Sequence, residues 1–103
     1  GHFCAKQCKQ DAGWACLMPA LQQHGAKLLA DCEVLALEAG RREVQRVHVR
    51  QGGAEFAVRG KLVILAAGSL MSPVLLLRSR SAEWPQGLAN GSGLVGRNLM
   101  LHT

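Results

Sequence analysis

The sequence has 103 residues, enough for one small domain with a modest core. Apolar residues make up 49% of it, which excludes a disordered tail, and aromatic residues only 4%, which argues against a surface that stacks nucleic-acid bases. The net charge of +5 comes from 12 basic and 7 acidic residues scattered along the chain, so no contiguous basic face for nucleic acid is expected.

The first predicted element is a helix at residues 14–24. Pro19 is compatible with this helix if the helix starts near Met18, which places the proline in the first turn, and Gly25 is a suitable stop. Residues 1–13 are polar and predict a loop. Apolar residues recur at the spacing of one helix face: Trp14, Leu17, Met18 and Leu21.

A group of strands is predicted next. Residues 26–37 predict a short strand, a kink and a longer strand. Two segments with apolar residues at alternate positions then predict half-buried strands, at residues 43–50 and 55–59. Because tight turns containing glycine join these segments, this part of the chain is expected to form an antiparallel β-meander.

A different kind of strand is predicted at residues 62–67, the longest apolar run of the sequence. The run is too short to span a membrane, and a continuous apolar strand is typical of a parallel strand covered on both faces. A helix is predicted at residues 72–79 with Pro73 in its first turn, then a loop at 81–92 and a short helical turn within 93–102. The order helix, strand, antiparallel excursion, buried parallel strand, helix indicates an α/β fold.

The end of the predicted buried strand is the first candidate site. Ligands of α/β proteins lie outside the carboxyl ends of parallel strands, and the residues there are the small Ala66, Ala67 and Gly68. A ligand could therefore lie against the main chain, and the N terminus of the following helix would favour a phosphate. The alternative is that these small residues only let the strand and the helix pack closely.

Residues 63–79, VILAAGSLMSPVLLLRS, contain this strand end and the helix that follows it. They resemble the second signature of the glucose-methanol-choline (GMC) oxidoreductases, which are FAD-dependent. Arg80 and Ser81 depart from the family's usual glycine and aliphatic residue. Residues 93–102, GLVGRNLMLH, and residues 25–37, GAKLLADCEVLAL, resemble two further family segments in the same order, and the opening residues resemble the preceding segment more loosely. The residues that match the signature are Gly68, Ser69, Ser72, Pro73, Leu75, Leu76 and Ser79.

The resemblance implies that residues 1–103 are the middle segment of a larger flavoprotein and form part of a flavin-binding Rossmann-like domain. Within that domain, the backbone of Val34 would meet the adenine of FAD. The turn before the second helix would lie near the adenosine and the pyrophosphate. The residues implied to bind the cofactor are Glu33, Val34, Ala66, Ala67, Gly68 and Ser72.

The implied parent enzyme oxidises an alcohol, sugar or sterol-type hydroxyl by hydride transfer to the flavin. The GxGxxG fingerprint of the family is missing, since the literal match at residues 91–96 follows no predicted strand. The family's catalytic histidine also lies outside these residues, so no catalytic residue is predicted here. The isolated fragment is expected to be inactive, to bind FAD weakly, and to self-associate through apolar edges.

The four cysteines keep a second function open. Cys4, Cys8, Cys16 and Cys32 fit no standard zinc spacing, but metal binding, a disulfide and free thiols are all compatible with them. A small non-enzymatic module that binds a metal through its cysteines is therefore the main alternative to the flavoenzyme. A different flavin or nicotinamide Rossmann protein that shares only the meander is a further alternative.

Overall fold

The computed structural model describes residues 11–101. The chain divides into two compact units, Gly1–Ala30 and Asp31–Thr103. The first unit contributes a helical segment, and the second contains all the strands found among the described residues. Within this described part of the chain, no helix is both long enough and apolar enough to cross a membrane.

The helical segment of the first unit agrees with the helix predicted at residues 14–24. A π-helical turn, Gly13–Leu17, runs directly into helix α1, Met18–Gln23, and Pro19 lies in the first turn of α1. Because the two helical turns are continuous, Pro19 leaves a carbonyl one turn earlier without an N–H partner. Residues 14 and 15 are exposed, so water can satisfy that carbonyl and the proline is tolerated. The helix stops before Gly25, whose φ of +69° suits glycine.

Three antiparallel strands form the predicted meander in the second unit, in the order β1–β2–β3: β1 (Cys32–Ala39), β2 (Val44–Gln51) and β3 (Ala54–Val58). The short strand predicted at the start of residues 26–37 is absent, because a strand persists only where another strand pairs with its backbone. The predicted kink is present at Asp31, which adopts φ of +51°.

The alternation of apolar and charged residues gives the sheet two different faces. On the charged face, Arg50 pairs with Glu55 at 3.0 Å and lies 3.8 Å from Glu33. The Glu38 carboxylate lies 3.1 Å from His48 on the same face. These exposed pairs contribute little stability. The apolar face is formed by two rows of three residues that face one another across the strands, Val34–Val49–Phe56 and Leu37–Val47–Val58.

Helix α2, Gly68–Arg78, packs against β1 and closes a small core. The buried members are Leu37 from β1, Leu75 from α2 and Leu88 from the loop after α2, each at most 8% exposed. One strand, one helix and one loop therefore meet at a single point, which fixes α2 relative to the sheet. Partly buried apolar residues surround the core: Ala39, Val44, Val47, Leu65, Leu76 and Trp84.

The parallel strand predicted at residues 62–67 is not a strand in this structure. Its burial alternates, since Leu62 and Ile64 are 80% and 79% exposed whereas Val63 and Leu65 are half-buried. None of the three strands in the described region pairs with this segment, and without a neighbour its backbone cannot form a ladder. The apolar run therefore predicted burial correctly on one side only.

Helix α2 starts at Gly68, four residues before the predicted start, so Pro73 lies inside the helix rather than in its first turn. The fixed φ of proline suits a helix, and the hydrogen bond that Pro73 cannot make would go to the carbonyl of Ser69. Because Ser69 is exposed, water can satisfy that carbonyl, and the proline is tolerated.

The chain after α2 forms turns, as predicted for residues 81–92, and the described residues 93–101 also contain turns rather than a helix. Two hydrogen bonds fix the loop to the rest of the unit. The Trp84 Nε1–H donates to the Gly40 carbonyl at 3.0 Å, which joins the loop to the β1–β2 hairpin. The Leu88 N–H donates to a carbonyl in the last turn of α2 at 2.9 Å.

Ser79, which directly follows α2, ties the helix to β1. Its side chain is buried, donates to the Leu75 carbonyl at 2.7 Å and accepts from the Leu37 N–H at 2.9 Å.

Ser79→Ala would leave the buried Leu37 N–H without a partner, so we expect the free energy of unfolding in urea to fall by about 2 kcal/mol. Ser81→Ala is the control, since its exposed hydroxyl accepts only from Trp84 N–H and its loss should cost less than about 0.5 kcal/mol. Equal losses in the two variants would contradict the role of Ser79.

Candidate functional site

The turn before α2 consists of Ala66, Ala67 and Gly68, all of them exposed. The Ser72 hydroxyl accepts a hydrogen bond from the Ala67 N–H at 3.0 Å, which closes the turn onto the helix. Gly68 adopts φ of +91°, a conformation that side chains disfavour, and no atom of a distant residue lies within 4 Å of the position its Cβ would take. The main chain of this turn is therefore open to approach from outside.

The first turn of α2 adds a place for negative charge beside this open backbone. No side chain caps the helix, and its first turn contains no acidic residue. The N–H groups at a helix N terminus lack partners within the helix and carry the positive end of its dipole. An open turn followed by uncapped N–H groups fits the phosphate of a nucleotide-type cofactor.

The other two predicted residues, Glu33 and Val34, lie near the start of β1, which is an edge strand of the sheet. The Glu33 carboxylate faces the Arg50 guanidinium on the charged face. Val34 lies on the apolar face opposite Val49 and is partly exposed. An edge strand keeps backbone N–H and C=O groups on its outer side available to a ligand.

The structure thus divides the predicted residues into two groups. It joins Ala67 directly to Ser72 at the start of α2. It leaves the other group on β1, the strand against which α2 packs. Ser72 was predicted to touch a cofactor, and here its hydroxyl oxygen accepts from the backbone of the turn while its own proton stays free to donate.

A groove that the sequence patterns did not predict runs along α2. Its volume is about 210 Å³, and α2 forms one wall and the loop the other. The lining residues are Ser69, Leu70, Pro73, Val74 and Leu77 on the helix and Gly96, Arg97 and Leu99 on the loop. Gly96 adopts φ of +84°, which glycine tolerates best. That glycine, within the segment resembling the GMC family, is the one signal by which the sequence could have indicated the groove.

The alternative function, metal binding, requires a cluster of ligands, and the part of the chain that the structure describes contains none. Across residues 11–101, no three histidine, cysteine, aspartate or glutamate side chains are grouped so as to hold a metal. Cys16 and Cys32 are free thiols. Cys4 and Cys8 lie outside the described residues.

Comparison with known proteins extends this picture. The profile of the family described as GMC oxidoreductase matches residues 1–103. The 6'''-hydroxyparomomycin C oxidase of Streptomyces lividus is 35% identical over 103 positions, covering 97% of this chain and 19% of that protein. The paromamine 6'-oxidase of Streptomyces fradiae is 34% identical with the same coverage. The 2-methyl-1,2-propanediol dehydrogenase of Mycolicibacterium austroafricanum is 35% identical over 71 positions, covering 57% of this chain and 13% of that protein.

The chain spans about a fifth of the length of the first of these relatives, and less of the third. The family profile nevertheless covers its whole length. The signature residues recognised in the sequence begin at the open turn and continue along α2. The family resemblance is thus confirmed, and this chain belongs to the GMC family of flavin-dependent oxidoreductases.

Proposed function

We propose that this chain is the middle segment of a larger FAD-dependent enzyme that oxidises an alcohol, sugar or sterol-type hydroxyl. Its part in that enzyme is to bind the adenosine side of FAD. Family membership supports the flavin, and the names of two relatives, a hydroxyparomomycin oxidase and a propanediol dehydrogenase, support a hydroxyl-bearing substrate.

The observation that carries the proposal is the open turn at Gly68. Its φ of +91° and the empty space beside it let a ligand approach the main chain. The uncapped N–H groups that follow in α2 can then donate to a phosphate of the cofactor. Both features come from the backbone, so they hold whatever charge the nearby side chains carry.

Each proposed residue has its own role in binding. The small side chains of Ala66 and Ala67 leave the main chain of the turn uncovered, so that the adenosine end of FAD can lie against it. Ser72 holds the Ala67 N–H and thereby fixes the angle at which the turn enters α2. On β1, Glu33 and Val34 offer an edge-strand backbone for the adenine. When bound, the flavin supplies the hydride acceptor, and the general base comes from outside these residues.

The exposed side of residues 62–67 supports the proposal that this chain is a segment of a larger protein. Leu62 and Ile64 are exposed while their neighbours face the core, a pattern typical of a strand covered on one side only. In a Rossmann-like domain, this segment would pair with further parallel strands and bury its other side. For the same reason, we expect the isolated 103-residue chain to self-associate and to be inactive.

The direct test uses the full-length protein that contains this chain. After purification and denaturation, the released cofactor is identified by mass and by its visible spectrum, and we expect FAD at about one molecule per chain. Anaerobic addition of primary alcohols and sugars should then bleach the oxidised flavin in the intact protein. A protein that holds no flavin, and that a metal chelator unfolds, would contradict the proposal and favour the metal-binding module.

Ser72→Ala tests the turn without changing Ala66, Ala67 or Gly68. The substitution removes the acceptor of the Ala67 N–H, so the turn should lose its fixed angle. We expect the Kd of the full-length apoprotein for FAD, measured by quenching of flavin fluorescence, to rise about fivefold to tenfold, since one hydrogen bond contributes about 1 kcal/mol.

Ser72→Thr is the matched control for that substitution. It keeps the hydroxyl and should leave the affinity for FAD within about twofold of the original value, because a threonine hydroxyl can accept the same bond. Loss of affinity in both variants, or in neither, would contradict the proposed role of the hydroxyl.

A further inference from the structure

Asn90 is a buried polar residue in the loop after α2. It is 7% exposed, and both ends of its amide are hydrogen-bonded. The Nδ2–H donates to the Gln86 carbonyl at 2.9 Å, and Oδ1 accepts from the Val95 N–H at 3.0 Å. Its backbone adds a bond to the Gly87 carbonyl and accepts one from the Gly93 N–H, both 3.1 Å. One residue therefore holds together the loop from residue 86 to residue 95.

The first end of this loop is anchored on the C-terminal part of α2. The Leu88 N–H donates to the Leu76 carbonyl at 2.9 Å. Gly87 lies so close to the helix that a Cβ there would stand 3.0 Å from the same carbonyl oxygen and 3.1 Å from Leu77 Cα. The Gln86 carbonyl, to which the Asn90 side chain donates, therefore lies in a part of the loop that is held against α2.

The second end of the loop leads to the groove that runs along α2. Directly after Val95, residues Gly96, Arg97 and Leu99 form one wall of that groove. The opposite wall includes Ser69, which follows the open turn. Within the described chain, the bond from Val95 to Asn90 is the last side-chain hydrogen bond before this wall.

From this chain of contacts we infer that Asn90 is a positioning residue for the cofactor site. It transmits the fixed geometry of the C-terminal end of α2 to residues 95–99, and it thereby sets the width of the groove, whose lining begins at Ser69, the residue after the open turn. Asn90 does not touch the cofactor itself. The inference rests on the proposed function, because it assigns the groove wall to the neighbourhood of the bound FAD.

The test compares Asn90→Leu with Trp84→Phe in the full-length protein. Leucine has a similar size but makes neither amide bond. Trp84→Phe removes the bond to the Gly40 carbonyl, which anchors the first half of the same loop on the hairpin and lies outside the proposed binding residues. The two variants therefore loosen the loop at different ends.

The first readout is hydrogen–deuterium exchange of the apoprotein, followed on the peptide that covers residues 94–101. We expect about tenfold faster exchange there in Asn90→Leu, because the Val95 N–H loses its acceptor, and a change below about twofold in Trp84→Phe. The second readout is the Kd for FAD, which should rise about tenfold in Asn90→Leu only, with a changed visible circular dichroism of the bound flavin. Both results together support the inference.

Asn90→Asp covers the case in which the leucine variant does not fold. It keeps an acceptor for the Val95 N–H, whereas its second carboxylate oxygen would face the Gln86 carbonyl with no donor between them. Residues 95–99 should therefore keep their protection even though overall stability falls. Equal deprotection in the aspartate and leucine variants would overturn the role of the Val95 bond.

The remaining outcomes separate this inference from the proposed function. Unchanged exchange in Asn90→Leu overturns the positioning role outright. Faster exchange with an unchanged Kd overturns the link to the cofactor site and leaves the proposed function standing. If the unsubstituted protein binds no FAD, the proposed function fails, and the link to the cofactor fails with it.

Discussion

Gly87→Ala is expected to lower the free energy of unfolding by about 3 kcal/mol. Gly87 adopts φ of +114°, where any side chain is strained. An alanine Cβ would also stand 3.0 Å from the Leu76 carbonyl oxygen and 3.1 Å from Leu77 Cα. Both are backbone atoms of α2 and cannot rotate away, so the loop would have to move and the adjacent bond from Leu88 to α2 would weaken. Equilibrium unfolding of the full-length protein in urea measures the loss.

Gly53→Ala is the matched control for this prediction. Gly53 adopts φ of +83° in the β2–β3 turn, but no distant atom lies within 4 Å of the position its Cβ would take. Alanine should therefore cost only the backbone strain there, about 1 kcal/mol. Similar losses at both positions would mean that the loop does not approach α2 as closely as the structure indicates.

The meander could be predicted from the sequence because its information is local. Val47 and Val49 alternate with polar residues, and each strand pairs with its neighbour in the chain across a short turn. The segment at residues 62–67 is different. Its apolar run predicted a central strand, but strand formation depends on partners that no local pattern can supply. Leu62 and Ile64 stay exposed, so the burial that the apolar run predicts for this side of the segment is not supplied by the rest of the described chain.

The candidate site was predictable to the extent that it depends on residue size and order. Ala67 and Gly68 are small, and the structure indeed gives an open turn there. The bond between Ala67 and Ser72 could not be predicted, because it follows from a helix that starts four residues earlier than its proline indicated. The contacts of Asn90 were missed for a related reason, since a loop has no periodicity from which its partners can be inferred.

Gly68→Ala is expected to raise the Kd of the full-length apoprotein for FAD by about tenfold to a hundredfold. Within this chain the added methyl group meets nothing, since no distant atom lies within 4 Å of the Cβ position. Only a ligand that approaches the turn can clash with it. The φ of +91° adds backbone strain of about 1 kcal/mol, which acts on stability rather than on the cofactor.

Gly53→Ala also serves as the control here, because the two glycines have similar positive φ values and equally open surroundings. The two variants should therefore lose similar stability, whereas only Gly68→Ala should lose affinity for FAD. Equal affinities for FAD would mean that the cofactor does not approach this turn, and the small residues would then serve only the packing of α2.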